Sequence, residues 1–503
     1  MTLPAIQNAR RHAERVAVED AEGSHTYDAL LRASAGVSAA LLEGGADLSE
    51  ERVAFLVTPG FWWVATQWGI WRAGGIAVPL PLHAATPELE YILDDTRASI
   101  LVSDGTAAAQ IEPLAAARGL RTVACAERTV DSGAELPEIA LERRAMILYT
   151  SGTTSKPKGV VTTHANIAAQ ITSLVEAWEW SEQDSIVSFL PLHHVHGIVN
   201  IVSCALWSGA RLHMIPRPDA GVVWELIGRG SFTVLMAVPT VYVRLIAAWE
   251  AADAERRAEL TAACKRMRLM VSGSAALPVS TLRRWEEISG HTLLERYGMT
   301  EIGMALSNSL HGTRVPGSVG RPLPGVQVRL TGEGGHDVQA GQPGEIVVRG
   351  PAVFAEYWGK PEATRDAFRD GWFLTGDMAV EESGVFRILG RMSIDILKSG
   401  GHKLSALEIE ETLRMHPMIA ECAVVGVPDA EWGERVGAAL VLKEGCALDL
   451  VSLRLWCREK MANYKLPTRL LIVEALARNA MGKIVKPAVS TLFQSSGNVE
   501  SVG

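Results

Sequence analysis

The run Tyr149-Thr150-Ser151-Gly152-Thr153-Thr154-Ser155-Lys156-Pro157-Lys158-Gly159 constrains the fold more than any other part of the chain. It follows directly on Ala145-Met146-Ile147-Leu148, an apolar run of the kind that forms a buried strand. Its small residues let backbone N–H groups approach phosphate oxygens, its hydroxyls add donors, and Lys156 and Lys158 add positive charge. The spacing is not that of a Walker A loop, G-x-x-x-x-G-K-[ST]. On composition alone the stretch reads equally well as a flexible surface loop. About 330 residues downstream, Arg478-Asn479-Ala480-Met481-Gly482-Lys483 presents a single lysine on a short glycine turn. A chain that uses both segments closes one part of itself over another around a nucleotide.

The rest of the pattern predicts an α/β protein. Buried-strand runs such as Arg52–Val57 alternate with helical periodicities, which implies parallel sheets. Ser280 is the expected N-cap of a helix carrying Leu282, Trp285 and Ile288 on one face and stopped by Gly290. Residues 320–350 change to a period-two alternation broken by Gly/Pro turns, predicting a β-rich subdomain. A boundary is expected at Gly390-Arg391. Beyond it, Ser405-Ala406-Leu407-Glu408 forms a capping box opening a helix that ends before Pro417, and a strand follows over Ala423–Val427. The expected organisation is a large N-terminal domain, 1–390, with α/β sheets and the β-rich subdomain, then a smaller mobile α+β domain, 391–503.

Bulk properties exclude several classes. The 503 residues carry a net charge of −9 and no long Lys/Arg run, so neither nucleic acid nor an anionic membrane surface is an expected partner. The most apolar stretch, Val53–Leu82, is interrupted by Pro59, Arg72 and Pro79, which argues against a membrane span. No secretory signal opens the chain. Six scattered cysteines form no C-x-x-C pair, so they read as reduced thiols in a cytoplasmic protein.

Together the two opening segments resemble signatures of the adenylate-forming acyl-CoA synthetase superfamily, and further strings extend the resemblance over nearly the whole chain. The upstream run resembles T-S-G-T-T-G-x-P-K-G, with Ser155 replacing a glycine. This implies that Thr150, Ser151, Gly152, Thr153, Thr154 and Lys158 hold ATP. Pro191-Leu192-His193-His194-Val195-His196-Gly197 resembles the segment lining the acyl pocket, with His194 at the matching position; alone, such a histidine reads as a core residue. Ser272-Gly273-Ser274-Ala275 resembles the adenine-contacting turn. In Tyr297-Gly298-Met299-Thr300-Glu301 the resemblance implies that Tyr297 stacks on adenine, Thr300 contacts phosphate and Glu301 holds Mg²⁺. Mg²⁺ prefers carboxylate and phosphate oxygens, so the chemistry agrees. Asp377 of Thr375-Gly376-Asp377 and Arg391 are the implied ribose contacts.

The implied reaction has two steps. A carboxylate attacks the α-phosphate of ATP with Lys483 in the site, and pyrophosphate leaves. The C-terminal domain then rotates, bringing Lys398-Ser399-Gly400-Gly401-His402-Lys403 to the site. Its residues Ser399, Gly400, Gly401 and Lys403 are the implied contacts of coenzyme A, whose thiol attacks the acyl-adenylate. ATP, Mg²⁺ and coenzyme A are thus the expected small molecules.

Two arginines narrow the family. Arg244, in Val238-Pro239-Thr240-Val241-Tyr242-Val243-Arg244, and Arg296, just before Tyr297, resemble the malonyl-CoA synthetase branch, where an arginine in each segment faces the far carboxylate. A buried dicarboxylate without such a partner would cost several kcal/mol, and a guanidinium pairs it bidentately. Singly, Arg296 reads as an ion-pair partner of Glu295 or another acid, and Arg244 as a solvated helix residue. The string Gly390–Gly401 also looks like this branch, although its extra residue leaves open whether Ser393 or Ile394 is the pivot. Ala477 departs from the family's usual proline. The resemblance implies malonate as substrate and a place in fatty acid metabolism; methylmalonate or another short-chain, medium-chain or aryl acid is the alternative. A peptide-synthetase adenylation domain would carry an Asp just after the His194 segment, but no acidic residue follows until Asp219. A non-catalytic nucleotide-binding relative would not need Lys483, Glu301 and the full phosphate loop together.

Overall fold

The computed structural model describes residues 3–125, 136–150, 157–216, 218–478, 483–495 and 498–502. The architecture is α/β, with two large mixed sheets, a smaller antiparallel sheet and a C-terminal α+β unit. In the nine-stranded sheet, strands Ser185–Ser188, Val234–Ala237, Leu269–Ser272 and Leu294–Met299 lie side by side and parallel. The seven-stranded sheet has a parallel core that includes Arg52–Leu56 and Arg144–Thr150. Its strand Lys158–Thr163 returns antiparallel to Arg144–Thr150, with Thr150 opposite Lys158. Helix Phe61–Arg72 fills the core beneath, burying Trp63, Trp68 and Trp71. This is why the most apolar stretch is so aromatic. Among the described residues no helix is long and apolar enough to cross a membrane.

The β-rich region forms the third sheet, including Gln327–Thr331, Gly344–Arg349, Trp372–Glu382 and Val385–Arg391. The fourth sheet begins at Ile396–Ser399 and is built only from later residues, around strands Ile419–Asp429 and Gly433–Leu442. A tight turn joins them, with the Ile394 and Asp395 N–H groups both donating to the Arg391 carbonyl.

Two local expectations need correcting. The helix expected to start after Ser280 runs Val279–Ser289 with Pro278 at the N-cap, although Leu282, Trp285 and Ile288 are buried and Gly290 ends it at φ 75° as expected. Proline fixes its own φ and cannot donate, so it sits well at a helix entry. The second is the capping box at Ser405, which is only half formed. The Ser405 hydroxyl accepts the Glu408 N–H at 3.1 Å, but the Glu408 carboxylate pairs instead with Lys465 at 2.6 Å.

Candidate active site

Four neighbouring parallel strands end on the same side, and their carboxyl ends supply the site, as open α/β sheets generally do. After Ser185–Ser188 comes Pro191–Gly197; after Val234–Ala237, helix Pro239–Ala251; after Leu269–Ser272, the turn through Ser274; and Leu294–Met299 carries Arg296 and Tyr297 itself.

Arg296 is the most unusual group there. It is 4% exposed, its Nε has no hydrogen-bond partner, and among the described residues no carboxylate pairs with it. Burial alone pushes the guanidinium down to about 9. Alternation along the strand sends its neighbour Glu295 the other way. There Glu295 accepts the Gly317 N–H at 3.1 Å, and burial, reinforced by the charge of Glu411, pushes its carboxyl up to about 8. The Glu295–Arg296 ion pair, one of the two options open in the sequence, is therefore excluded. The guanidinium lies against Gly273, where a Cβ would come within 2.5 Å of the Arg296 Cζ and force the guanidinium to shift. Ser274 follows with φ 70°, a conformation strained for a serine and common at functional turns. Its hydroxyl bridges Arg296 Nη2 at 3.4 Å and His196 Nδ1 at 3.0 Å. Ala275 is exposed.

The histidines of this region are neutral. Burial, then the charges of His193 and Lys483, push His194 down to about 3. His196 is driven well below its ordinary range by burial and then by Arg296, His194 and Lys483. Lys483, from the C-terminal unit, is near enough for its charge to act on both histidines and to feel that of Arg296. It keeps solvent-accessible surface, yet its ammonium is held below the usual lysine range, first by desolvation, then by Arg296 and Arg391, with Asp377 opposing. Arg244 is not gathered into this cluster: it sits on the exposed face of helix Pro239–Ala251 and is not among the cations acting on these groups.

The remaining residues form a polar wall. Asp377 is buried, accepts the Tyr297 hydroxyl at 2.6 Å and is clasped by Arg391 Nε at 3.0 Å and Nη2 at 3.2 Å. Tyr297, Gly298 and Met299 run antiparallel to Gly303–Ser307 and lead into the half-buried Thr300. Glu301 is 5% exposed; its Oε1 accepts the Tyr357 hydroxyl at 3.0 Å and its Oε2 has no partner. Burial raises its carboxyl, with Tyr357, Arg391 and Lys158 opposing. The Lys158 ammonium sits 4.7 Å from the centre of the Tyr357 ring. An orphaned carboxylate oxygen in a cation-rich wall fits a hard cation shared with phosphate oxygens. Thr150 ends its strand opposite Lys158, whereas Ser151, Gly152, Thr153 and Thr154 lie outside the described residues.

The segment expected to meet coenzyme A lies elsewhere. Ser399 is buried, and Gly400 and Gly401 turn a hairpin at φ 55° and 80°. Lys403 pairs at 2.6 Å with Glu333, in the turn after strand Gln327–Thr331, on a cleft of about 630 Å³ also lined by Arg387, Leu389 and Tyr464. The structure therefore joins Lys483, but not Ser399, Gly400, Gly401 or Lys403, to the Arg296–Asp377 cluster.

Sequence reasoning passed over His196 and Tyr357. The first stands in the same His-rich string as His194, and nothing in the spacing ranks one above the other. For Tyr357 no local signal exists, because its hydroxyl reaches Glu301 from 56 residues away.

Residues 6–358 match the AMP-binding enzyme family, and residues 408–483 match the AMP-binding enzyme C-terminal domain. The chain is 45% identical to the mitochondrial malonate–CoA ligase ACSF3 of Xenopus laevis, covering 98% of this chain and 92% of the relative. It is 40% identical to malonate–CoA ligase of Arabidopsis thaliana, over 96% and 87%. The crystal structure of ATP-bound MatB from Rhodopseudomonas palustris superposes with a TM-score of 0.90 at 33% identity, covering 98% of this chain and 99% of that one.

Proposed function

We propose that this chain, which belongs to the AMP-binding enzyme family, ligates malonate to coenzyme A with conversion of ATP to AMP and pyrophosphate. The observation that carries the choice of acid is Arg296, a buried cation without a counter-ion. A protein does not keep such a group without a compensating anion in the working complex. The far carboxylate of a short dicarboxylic acid supplies it.

In the first step one malonate carboxylate oxygen attacks the α-phosphorus of ATP, and the bond to pyrophosphate breaks. Two anions must approach, and Lys483, which reaches the cluster while keeping solvent-accessible surface, offsets their repulsion. Asp377 holds the ribose hydroxyls, and Arg391 and Tyr297 orient its carboxylate. Thr150, Ser151, Gly152, Thr153, Thr154, Lys158 and Thr300 hold the phosphates, while Gly273, Ser274, Ala275, Gly298 and Met299 shape the adenine side. Glu301, with its unpartnered Oε2, would hold Mg²⁺, which would supply charge neutralisation to the phosphates. In the second step the C-terminal unit, from about residue 391, swings Lys483 out and brings in Ser399, Gly400, Gly401 and Lys403. The thiol of coenzyme A then attacks the malonyl-adenylate carbonyl, and AMP leaves. A setting in fatty acid metabolism and a cytoplasmic location complete this reading; the animal relative above is described as mitochondrial.

The test is coenzyme-A-dependent AMP formation with malonate, methylmalonate, succinate, acetate, hexanoate and coumarate. Preference for malonate is expected. Preference for a monocarboxylic acid would refute the assignment, and equal use of methylmalonate would widen the substrate to both diacids.

A further inference from the structure

His196 opens a π-helical segment, His196–Ser203, a geometry often found at functional sites. It is 2% exposed, and its two ring nitrogens are treated differently. Nδ1 meets the Ser274 hydroxyl at 3.0 Å, whereas Nε2 is buried with no partner. Ser274 fixes which nitrogen carries the proton. Among the described residues its side-chain partners are Arg296 and His196. A guanidinium can only donate, so the Ser274 oxygen accepts from Arg296. With that bond in place, the hydroxyl proton has a side-chain acceptor among the described residues only if His196 Nδ1 is bare. Burial and three neighbouring groups, Arg296, His194 and Lys483, keep the ring neutral. The single imidazole proton therefore resides on Nε2, and a buried N–H donor is left without an acceptor.

We propose that His196 is a second specificity-determining contact, its Nε2–H donating to the far carboxylate of the substrate beside Arg296, with Ser274 a positioning residue that sets the tautomer. This rests on the diacid reading above. It adds a neutral donor to the charged one: Arg296 supplies attraction, and His196 supplies a directional bond to one oxygen. Nitrogen on the wrong tautomer would present a lone pair to the carboxylate and repel it. Ser274, held at φ 70° between Gly273 and Ala275, thus has a reason to accept its strain.

The experiment compares His196→Phe, His196→Gln and Ser274→Ala, measuring AMP formation with malonate and with propionate. An unpaired buried partner is worth roughly 5- to 150-fold in kcat/KM. His196→Phe should lose that on malonate, mainly through KM, and much less on propionate. His196→Gln, which can return an N–H near the Nε2 position, should recover part of it. Ser274→Ala should shift malonate in the same direction by a smaller factor. Equal losses on both acids in His196→Phe, with no recovery in His196→Gln, would make the ring structural and overturn the proposal. ATP–pyrophosphate exchange with propionate verifies that the His196 variants still fold and bind ATP; for Ser274→Ala, which also touches the adenine side, the readout is the malonate-to-propionate ratio. A wild-type enzyme that prefers propionate to malonate would overturn the diacid reading itself, a distinct outcome.

Discussion

Replacing Arg296 with methionine should push stability and activity in opposite directions. The guanidinium is 4% exposed and unpaired, and burial alone pushes it from 12.5 down to about 9. That displacement corresponds to at most roughly 5 kcal/mol for keeping the cation charged at neutral pH. Methionine is of similar length and apolar, so the unliganded variant is relieved of that cost. Its melting temperature should rise by about 1 °C for each kcal/mol recovered, the unfolding entropy of a chain this long being roughly 1 kcal/mol/K. Catalysis moves the other way. Truncating one partner of a buried charge pair costs about 2–5 kcal/mol, so kcat/KM for malonate should fall roughly 30- to 4,000-fold. Acetate has no second carboxylate and should lose little. Malonate should also raise the melting temperature of the wild type, since a ligand bound only by the folded state stabilises it, but not that of the variant. The assays are scanning calorimetry with and without malonate, and AMP formation with both acids. Arg244→Ala, at an exposed position, is the comparison and should affect malonate less. A variant that melts lower than wild type and loses both acids alike would show that Arg296 is a packing element, and the reasoning from an unpaired cation would fail.

Three further outcomes are expected. Lys483→Ala should cripple adenylate formation yet leave the thioester step from supplied malonyl-adenylate largely intact; equal loss of both steps would contradict the division of labour. Glu411, on the C-terminal unit, accepts the Val279 N–H at 2.9 Å and so caps the helix that follows the adenine turn. Glu411→Ala should remove a cap of about 1 kcal/mol, slowing ATP–pyrophosphate exchange roughly fivefold without slowing the thioester step, which half-reaction assays would separate. Glu295, pushed up from 4.5 to about 8, binds a proton more tightly folded than unfolded. Its stabilising contribution is complete below about pH 4.5 and is lost as pH rises to about 8. Glu295→Gln should therefore flatten the fall in melting temperature across that window, and an unchanged pH profile would contradict the shift.

Much of the site was legible because its parts are short contiguous strings. The phosphate-loop run, Tyr297 to Glu301 and the Thr375-Gly376-Asp377 turn each carry chemistry in neighbouring residues, and their order along the chain is itself information. The α/β class was legible for a similar reason: buried-strand runs and helical periodicities are local patterns. Helix Val279–Ser289 shows where local reading stops. Its apolar face and its glycine stop were visible, but its first residue was not, because Pro278 and Ser280 are both acceptable starts until the chain is packed.

Through its resemblance to the adenylate-forming family, the sequence by itself pointed to a chain that activates a carboxylate with ATP, because the matching strings are backbone-adjacent residues. Only the tertiary structure decided which way Arg296 faces, that Glu295 does not pair with it, and that Arg244 stays at the surface while Lys483 crosses to the site. The same holds for His196 Nε2, whose proton is assigned by a hydroxyl 78 residues away. Burial and hydrogen-bond partners are properties of the packed chain: a side chain's charge is set by its residue type, but what that charge costs and what it must meet depend on which distant residues fold around it.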